Sequence, residues 1–341
     1  MNQFKRPQYL NFDAPVDAKI IHNQSWHPEV DFLIFDELHK MKSWKRFLKG
    51  VFDTKLATQA ILVTGSARLD TFHQAGESLA GRYFHYTLCP LSVAELKHSK
   101  KTTDPLLDQL NLLGGFPEPF FSHSEQEAAR WRNQYYTDLV REDILEFSRI
   151  QEIRSIRLLL ELLRERVGSP LSYTNLANDL QLAPNTIRKY LDILSSLYII
   201  FLVRPFHRNI ARAILKEPKV YFYDSGFIKG DEGIRLENTC AVSLLKHVHY
   251  LQDAKGMNVE LHYVRTKEGR EIDFALSQDD QLMDLIEVKL SDDSPSSHLI
   301  YFSKQFKQVK SRQIVRYLKQ EQQIENILIE RASVFLSNLS A

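Results

Sequence analysis

Phe32-Leu33-Ile34-Phe35-Asp36-Glu37-Leu38-His39-Lys40 runs four apolar residues into an acidic pair and then turns polar. An apolar run of this length, bounded in this way, predicts a strand buried on both faces of a parallel sheet. Ligands of such sheets sit beyond the carboxyl ends of the strands, where Asp36 and Glu37 emerge. Upstream, Gln8 to Asp13 reads as a short strand ended by Ala14-Pro15. Downstream, Ala60-Ile61-Leu62-Val63-Thr64-Gly65-Ser66 reads as another, closing on small polar residues. Between Lys42 and Lys55, Trp44, Phe47, Leu48 and Val51 recur at helical spacing. Strand, helix and strand in alternation predict a parallel α/β sheet.

The 341 residues suffice for two or three domains, each with its own core. Hydrophobic content of 43% and charged content of 26% are those of a globular chain. With 44 basic and 43 acidic residues the net charge is +1, which excludes a whole-surface nucleic-acid field but leaves room for a local patch. Cys89 and Cys240 stand far apart, outside any metal-ligand spacing, which points to a reducing compartment and away from a zinc site. The first residues, Met1 to Pro7, lack the apolar core of a signal peptide. Leu197 to Val203, the longest apolar stretch, is too short to span a bilayer. A cytoplasmic protein with no membrane partner is expected.

Gly114-Gly115-Phe116-Pro117-Glu118-Pro119 breaks the chain, and Trp131 to Phe147 then reads as a helix. From Ser155 to Pro205 the pattern changes. Ile156, Leu159, Leu160, Leu163 and Val167 share one helical face, ended by Gly168-Ser169-Pro170. Ser172 caps a short helix through Leu176 and Leu180, and Pro184 opens a third through Ile187, Tyr190, Leu191 and Leu194. Two helices joined by a short turn, followed by the extended Tyr198 to Val203, describe a winged helix-turn-helix. In DNA binders the exposed residues at the start of the third helix reach base edges, here Asn185, Thr186, Arg188 and Lys189. Residues 151–230 hold 12 basic against 7 acidic side chains. Arg204, His207, Arg208 and Arg212 follow the wing, placed to meet phosphate oxygens. The competing reading is a packing module without DNA.

In the last third, Val220 to Gly226 reads as a strand closing on a turn, and Leu236-Glu237-Asn238 opens an amphipathic helix through Val242, Leu245 and Val248. His262 to Arg265, Glu271 to Leu276 and Asp284 to Leu290 read as strands. Glu271 and Asp273 alternate with Ile272, Phe274 and Leu276, and Glu287 and Lys289 with Ile286, Val288 and Leu290. Asp273 with Glu287-x-Lys289 resembles the acid-acid-x-lysine motif of restriction-endonuclease-like folds. That resemblance implies two carboxylates holding Mg²⁺ beside a scissile phosphate, with Lys289 assisting the attacking water. Glu237 offers a further carboxylate. Plain surface salt bridges are the competing reading. Lys304 to Ala341 is expected to be helical and to cover the sheet, with Gln320 to Gln323 solvated.

Phe35-Asp36-Glu37 resembles the Walker B motif of AAA-type ATPases, and Thr64-Gly65-Ser66 the following strand end of that family. Gly81-Arg82 and Pro90-Leu91-Ser92-Val93-Ala94-Glu95-Leu96 resemble a prokaryotic branch that joins an AAA core to a winged-helix and nuclease-like region. The segments fall in the family's order over nearly the whole chain. The resemblance implies that Asp36 holds Mg²⁺, Glu37 positions water, and Thr64 or Ser66 senses the γ-phosphate of ATP, with Arg68 and Arg82 as candidate phosphate sensors. The chain departs from the family at the phosphate loop, because G-x-x-x-x-G-K-[ST] does not occur in it. Either the core is weakened at its first strand or residues before Met1 complete it. Strands at Tyr9, Phe32 and Ile61 then stay contiguous, while the segment from Tyr83 to Leu88 loses its partner.

The expected fold is α/β: a truncated P-loop ATPase sheet over 1–96, a helical linker over 97–154, a winged helix over 155–212 and a restriction-endonuclease-like α/β domain over 213–341. The expected function is that of an ATPase-like protein linked to a DNA-associated module. The alternatives are a Mg²⁺-dependent nuclease and a non-enzymatic DNA-binding scaffold.

Overall fold

The structure, a computed structural model, describes residues 4–65, 79–97, 103–147, 150–207 and 216–340, with the backbone alone at 140–147 and 150–151. The chain divides into two compact units, 1–85 and 86–341.

The first unit contains β1 (Pro7–Asn11), α1 (Pro15–Asn23), β2 (Phe32–Asp36), α2 (Trp44–Thr54) and β3 (Ala60–Val63). The strands are parallel in the order β1-β2-β3, so those at Tyr9, Phe32 and Ile61 are indeed contiguous. Pro15 starts α1 where a missing N–H costs no helical hydrogen bond. Leu10, Leu33 and Phe35 pack with Ile21 of α1 and with Trp44, Leu48 and Val51 of α2. Each such buried side chain is worth about 1.5–3 kcal/mol, so this layer holds the unit together.

The opposite face departs from the expectation of a strand buried on both sides. Tyr9, Ile34 and Leu62 line up across the three strands, and Tyr9 is 56% and Leu62 41% exposed. Among the described residues α1 and α2 both pack against the side of Leu33 and Phe35, which leaves this row half open. Residues 83–92 form no strand, and Tyr83, Phe84, Tyr86 and Leu88 are exposed.

The second unit opens with helices: α3 (Val93–Leu96), α4 (Asp104–Leu113), α5 (Pro117–Ser122), α6 (Glu125–Phe147), α7 (Ile150–Arg164), α8 (Tyr173–Leu180) and α9 (Pro184–Ser196). Ser92 and Glu95 form a reciprocal capping box on α3. Ser172 caps α8 by accepting from the Asn175 N–H, and Pro184 is the first residue of α9, as the sequence predicts. Then follow β4 (Ile200–Pro205), β5 (Lys219–Phe222), α10 (Glu232–Lys255), β6 (Val259–Arg265), β7 (Glu271–Gln278) and β8 (Gln281–Lys289). The unit ends with α11 (Ser297–Gln305), β9 (Lys310–Val315), β10 (Gln322–Ile324), β11 (Ile327–Arg331) and α12 (Ala332–Ser337). Asp231 accepts from the Ile234 N–H, and this cap starts α10 one turn before Leu236.

Eight strands form one mixed sheet, β10-β11-β9-β8-β7-β6-β4-β5. β6, β7 and β8 pair antiparallel, and β8, β9 and β11 pair parallel. Residues 86–96, the end of the expected 1–96 segment, lie in the second unit, where Lys246 of α10 pairs with Glu95 and donates to the Pro90 carbonyl at 3.0 Å. β4 and β5, on either side of the expected boundary at 212, belong to the same sheet.

The segment from Lys304 onward is not the helical cover expected from its Gln-, Lys- and Glu-rich composition. β-Branched Ile314, Val315, Ile327 and Ile329 are among the residues it buries, and they extend the sheet beyond β8. Tertiary pairing overrides local helix preference here. Arg132 of α6 reaches Asp224, just past β5, at 2.7 Å with both side chains buried, and ties the helices to the sheet. Among the described residues no helix is long and apolar enough to cross a membrane.

Candidate functional site

At the carboxyl end of the first sheet, register sets Phe35 of β2 beside Val63 of β3, and the next residues are Asp36 and Thr64. Thr64 Oγ1 donates to Asp36 Oδ1 at 2.6 Å, the Glu37 N–H donates to the same oxygen at 3.1 Å, and Tyr9 Oη donates to Oδ2 at 2.5 Å. The Thr64 and Tyr9 hydroxyls hold the Asp36 carboxyl below its ordinary value. Glu37 adopts a left-handed backbone, φ 55°, and turns its carboxylate to Lys40 at 3.3 Å and His39 at 3.6 Å. Arg82 pairs with Asp53 of α2 at 3.1 Å instead of joining Asp36. Ser66 and Arg68 lie outside the described residues.

Asp36 and Thr64 suit the Mg²⁺ side of a nucleotide site, where one or two carboxylates and a hydroxyl usually share the ion with phosphate oxygens. Three protein donors already occupy the Asp36 carboxylate, and the phosphate-gripping glycine loop and lysine are not in this sequence. These residues alone do not make a nucleotide site. Tyr9 was not legible as a member of the group, because an exposed tyrosine in a short strand carries no distinctive signal.

The second constellation lies in the large sheet. Asp273 of β7 and Glu287 and Lys289 of β8 come together as the alternation predicts. The Val288 N–H donates to Asp273 Oδ2 at 2.9 Å, and Lys289 Nζ is 2.8 Å from Glu287 Oε1. Glu237 of α10 joins them, accepting from Tyr221 Oη at 2.6 Å.

Lys219, which the sequence reading passed over, sits among these acids, with Nζ 2.7 Å from Glu271, 3.6 Å from Glu237 and 3.8 Å from Asp273. Its signal was faint: a lysine two residues before Tyr221 in an otherwise apolar strand, so that both side chains share a face.

Burial first, and then the Asp273 charge, push the Glu237 and Glu287 carboxyls up to about 7. Burial opposes the Lys219 ammonium, but Glu237, Asp273 and Glu271 more than offset it and raise its pKa. Gly168, in the turn after α7, closes over Glu237 with φ +74°, and a Cβ there would stand 2.8 Å from Glu237 Oε1. Glycine fits where another residue would meet both strain and carboxylate.

A divalent metal held by Asp273 and Glu287 does not suit this donor set, because the Lys219 ammonium already stands among the acids. Among the described residues no group of three or more His, Cys, Asp or Glu side chains is disposed to hold a metal ion.

In the helical part, Asn185, Arg188 and Lys189 are exposed on the first turns of α9, and Thr186 is half-buried. Arg188 lies over the Tyr173 ring at 5.1 Å, and Lys189 is 3.3 Å from Glu152. Arg208 and Arg212 lie outside the described residues.

Residues 2–97 match the family described as AAA domain. Residues 104–232 and 232–331 match two domains of unknown function, DUF8612 and DUF4143. The amino-terminal part is thus similar to an AAA domain, and the rest to two domains of unknown function. Similar proteins include an uncharacterized protein of Mycobacterium tuberculosis, 27% identical over 247 residues, with 71% of this chain and 55% of that protein covered. An uncharacterized protein of Haemophilus influenzae is 23% identical over 307 residues, 81% of this chain and 72% of its own. Another, of Methanocaldococcus jannaschii, is 24% identical over 302 residues, 82% and 66% respectively. The chain thus spans little more than half the length of the mycobacterial relative. No solved structure matches the chain.

Proposed function

We propose that this chain is an AAA-type, ATPase-like protein of the cytoplasm whose second unit serves as a DNA-associated module. The observation that carries the ATPase-like reading is the contact between Thr64 and Asp36, 2.6 Å, across neighbouring strand ends of the AAA domain. It joins the residues that the Walker B resemblance names for Mg²⁺ and for the γ-phosphate. The DNA-associated reading rests on α8, the three-residue turn and α9, with Asn185, Arg188 and Lys189 presented at the start of α9 as in helix-turn-helix recognition.

ATP turnover by the purified chain, compared with Asp36→Asn, tests the nucleotide half. Without a phosphate grip in this sequence, the two proteins should be alike and inactive. Turnover that depends on Asp36 would show that another part of the chain grips phosphate.

A second reading, a metal-dependent nuclease, has the adjoining Asp273, Glu287 and Lys289 on β7 and β8 in its favour and the Lys219 ammonium standing among the acids against it. It predicts Mg²⁺- or Mn²⁺-dependent DNA cleavage abolished by Asp273→Ala or Lys289→Ala. DNA left intact with either metal would remove it.

A further inference from the structure

Lys219 opens β5, yet it is only 1% exposed. An ammonium taken this far from water costs several kcal/mol unless strongly compensated. Glu271, Glu237 and Asp273 surround it within 3.8 Å, and the Tyr263 ring lies 5.5 Å from it. Beside them Glu287 is 4% exposed, and its Oε2 has no hydrogen-bond partner among the described residues. Asp273 is the charge that acts on Glu287 most strongly.

Four carboxylates from α10, β7 and β8 thus share one buried centre. Lys219, Lys289 and, toward the rim, Arg265, 3.1 Å from Glu271, are the cations beside them. Oxygen-rich, acid-heavy and dry, this is the composition a hard divalent cation takes. A lysine ammonium is a compact point charge with three donors, the nearest match a side chain offers to such an ion.

We propose that Lys219 is the resident cation of this centre, standing where a divalent metal would stand. The native protein then binds no metal there, and removal of the ammonium opens an oxygen-lined site for Mn²⁺ or Mg²⁺. Glu271, Glu237 and Asp273, within 3.8 Å of Nζ, are the ligands such an ion would meet. To reach a metal, the carboxylates now 2.7–3.8 Å from Nζ draw in to the roughly 2.0–2.6 Å of such ions.

The experiment counts bound Mn²⁺ by electron paramagnetic resonance in EDTA-treated wild-type protein, Asp273→Asn and Lys219→Met. Wild type and Asp273→Asn should bind the same number, and Lys219→Met one more, with a melting temperature that rises on adding Mn²⁺. An extra Mn²⁺ on wild type relative to Asp273→Asn overturns the proposal. So does a folded Lys219→Met that gains none, which would leave a purely structural ion cluster. If Lys219→Met is unfolded in EDTA, refolding on Mn²⁺ supports the proposal, and failure to refold contradicts it. No arm involves nucleotide or DNA.

Discussion

Lys219 at the head of β5 and Glu271 at the head of β7 meet at 2.7 Å, although β4 and β6 lie between their strands in the sheet order. Two long side chains bridge the face of the sheet, and the ammonium gathers acids that come from a helix and a strand. Removing one member of such a buried set leaves the others uncompensated. Lys219→Ala should therefore cost about 3–5 kcal/mol in metal-free buffer. Glu271→Gln should cost less, because Glu237 and Asp273 still face the ammonium. Urea midpoints of the two variants check the order.

Stability should depend on pH through Glu287. Its folded-state value of about 7 lies above the ordinary 4.5, so between these values the folded protein keeps a proton that the unfolded chain has lost. The stability it contributes is present below the unfolded value and is lost as pH rises through the folded one. Glu287→Gln removes that titration. The fall in stability from about pH 5 to about pH 8 should be smaller in the variant than in wild type. Equal falls would show that Glu287 titrates normally.

Arg132 and Asp224 form a buried pair, and burial above all raises the Asp224 carboxyl against the pull of Arg132. Asp224→Ala should destabilise the second unit by about 3–5 kcal/mol, since it strands a guanidinium in the interior. The double variant Asp224→Ala, Arg132→Met should lose less than the sum of the single losses. Additive losses in urea unfolding would mean that the two residues act independently.

Gly168→Ala should destabilise by about 1–2 kcal/mol from backbone conformation alone. The methyl would also crowd Glu237. Thermal unfolding provides the check; an unchanged melting temperature would mean that the turn after α7 does not depend on glycine at 168.

The sequence made the strands legible wherever a short apolar run ended in acids or small polar residues, as at Phe32–Asp36 and Glu271–Gln278. Proline and serine marked the starts of α8 and α9 because they act on the backbone locally. Asp273, Glu287 and Lys289 were found together because a period of two sets them on one face. Lys219 was not, since its partners lie 18 to 54 residues away in sequence and only the folded sheet joins them. β9 and β11 were hidden for a related reason: β9 pairs with β8 and β11 with β9 across intervening segments, while their local composition favours helix. The half-open face of the first sheet was equally silent, because a run such as Phe32–Phe35 does not say whether helices cover one side or both.

Association of the second unit with DNA is to be measured by fluorescence anisotropy of duplex DNA across a series of salt concentrations, with wild type and the double variant Arg188→Ala, Lys189→Ala. Wild type should bind in a salt-sensitive manner. The variant should bind more weakly, with its log–log salt slope reduced by about 2 as two phosphate or base-edge contacts are lost. Binding unaffected by the two substitutions, or no binding even at low salt, would contradict the DNA-associated reading.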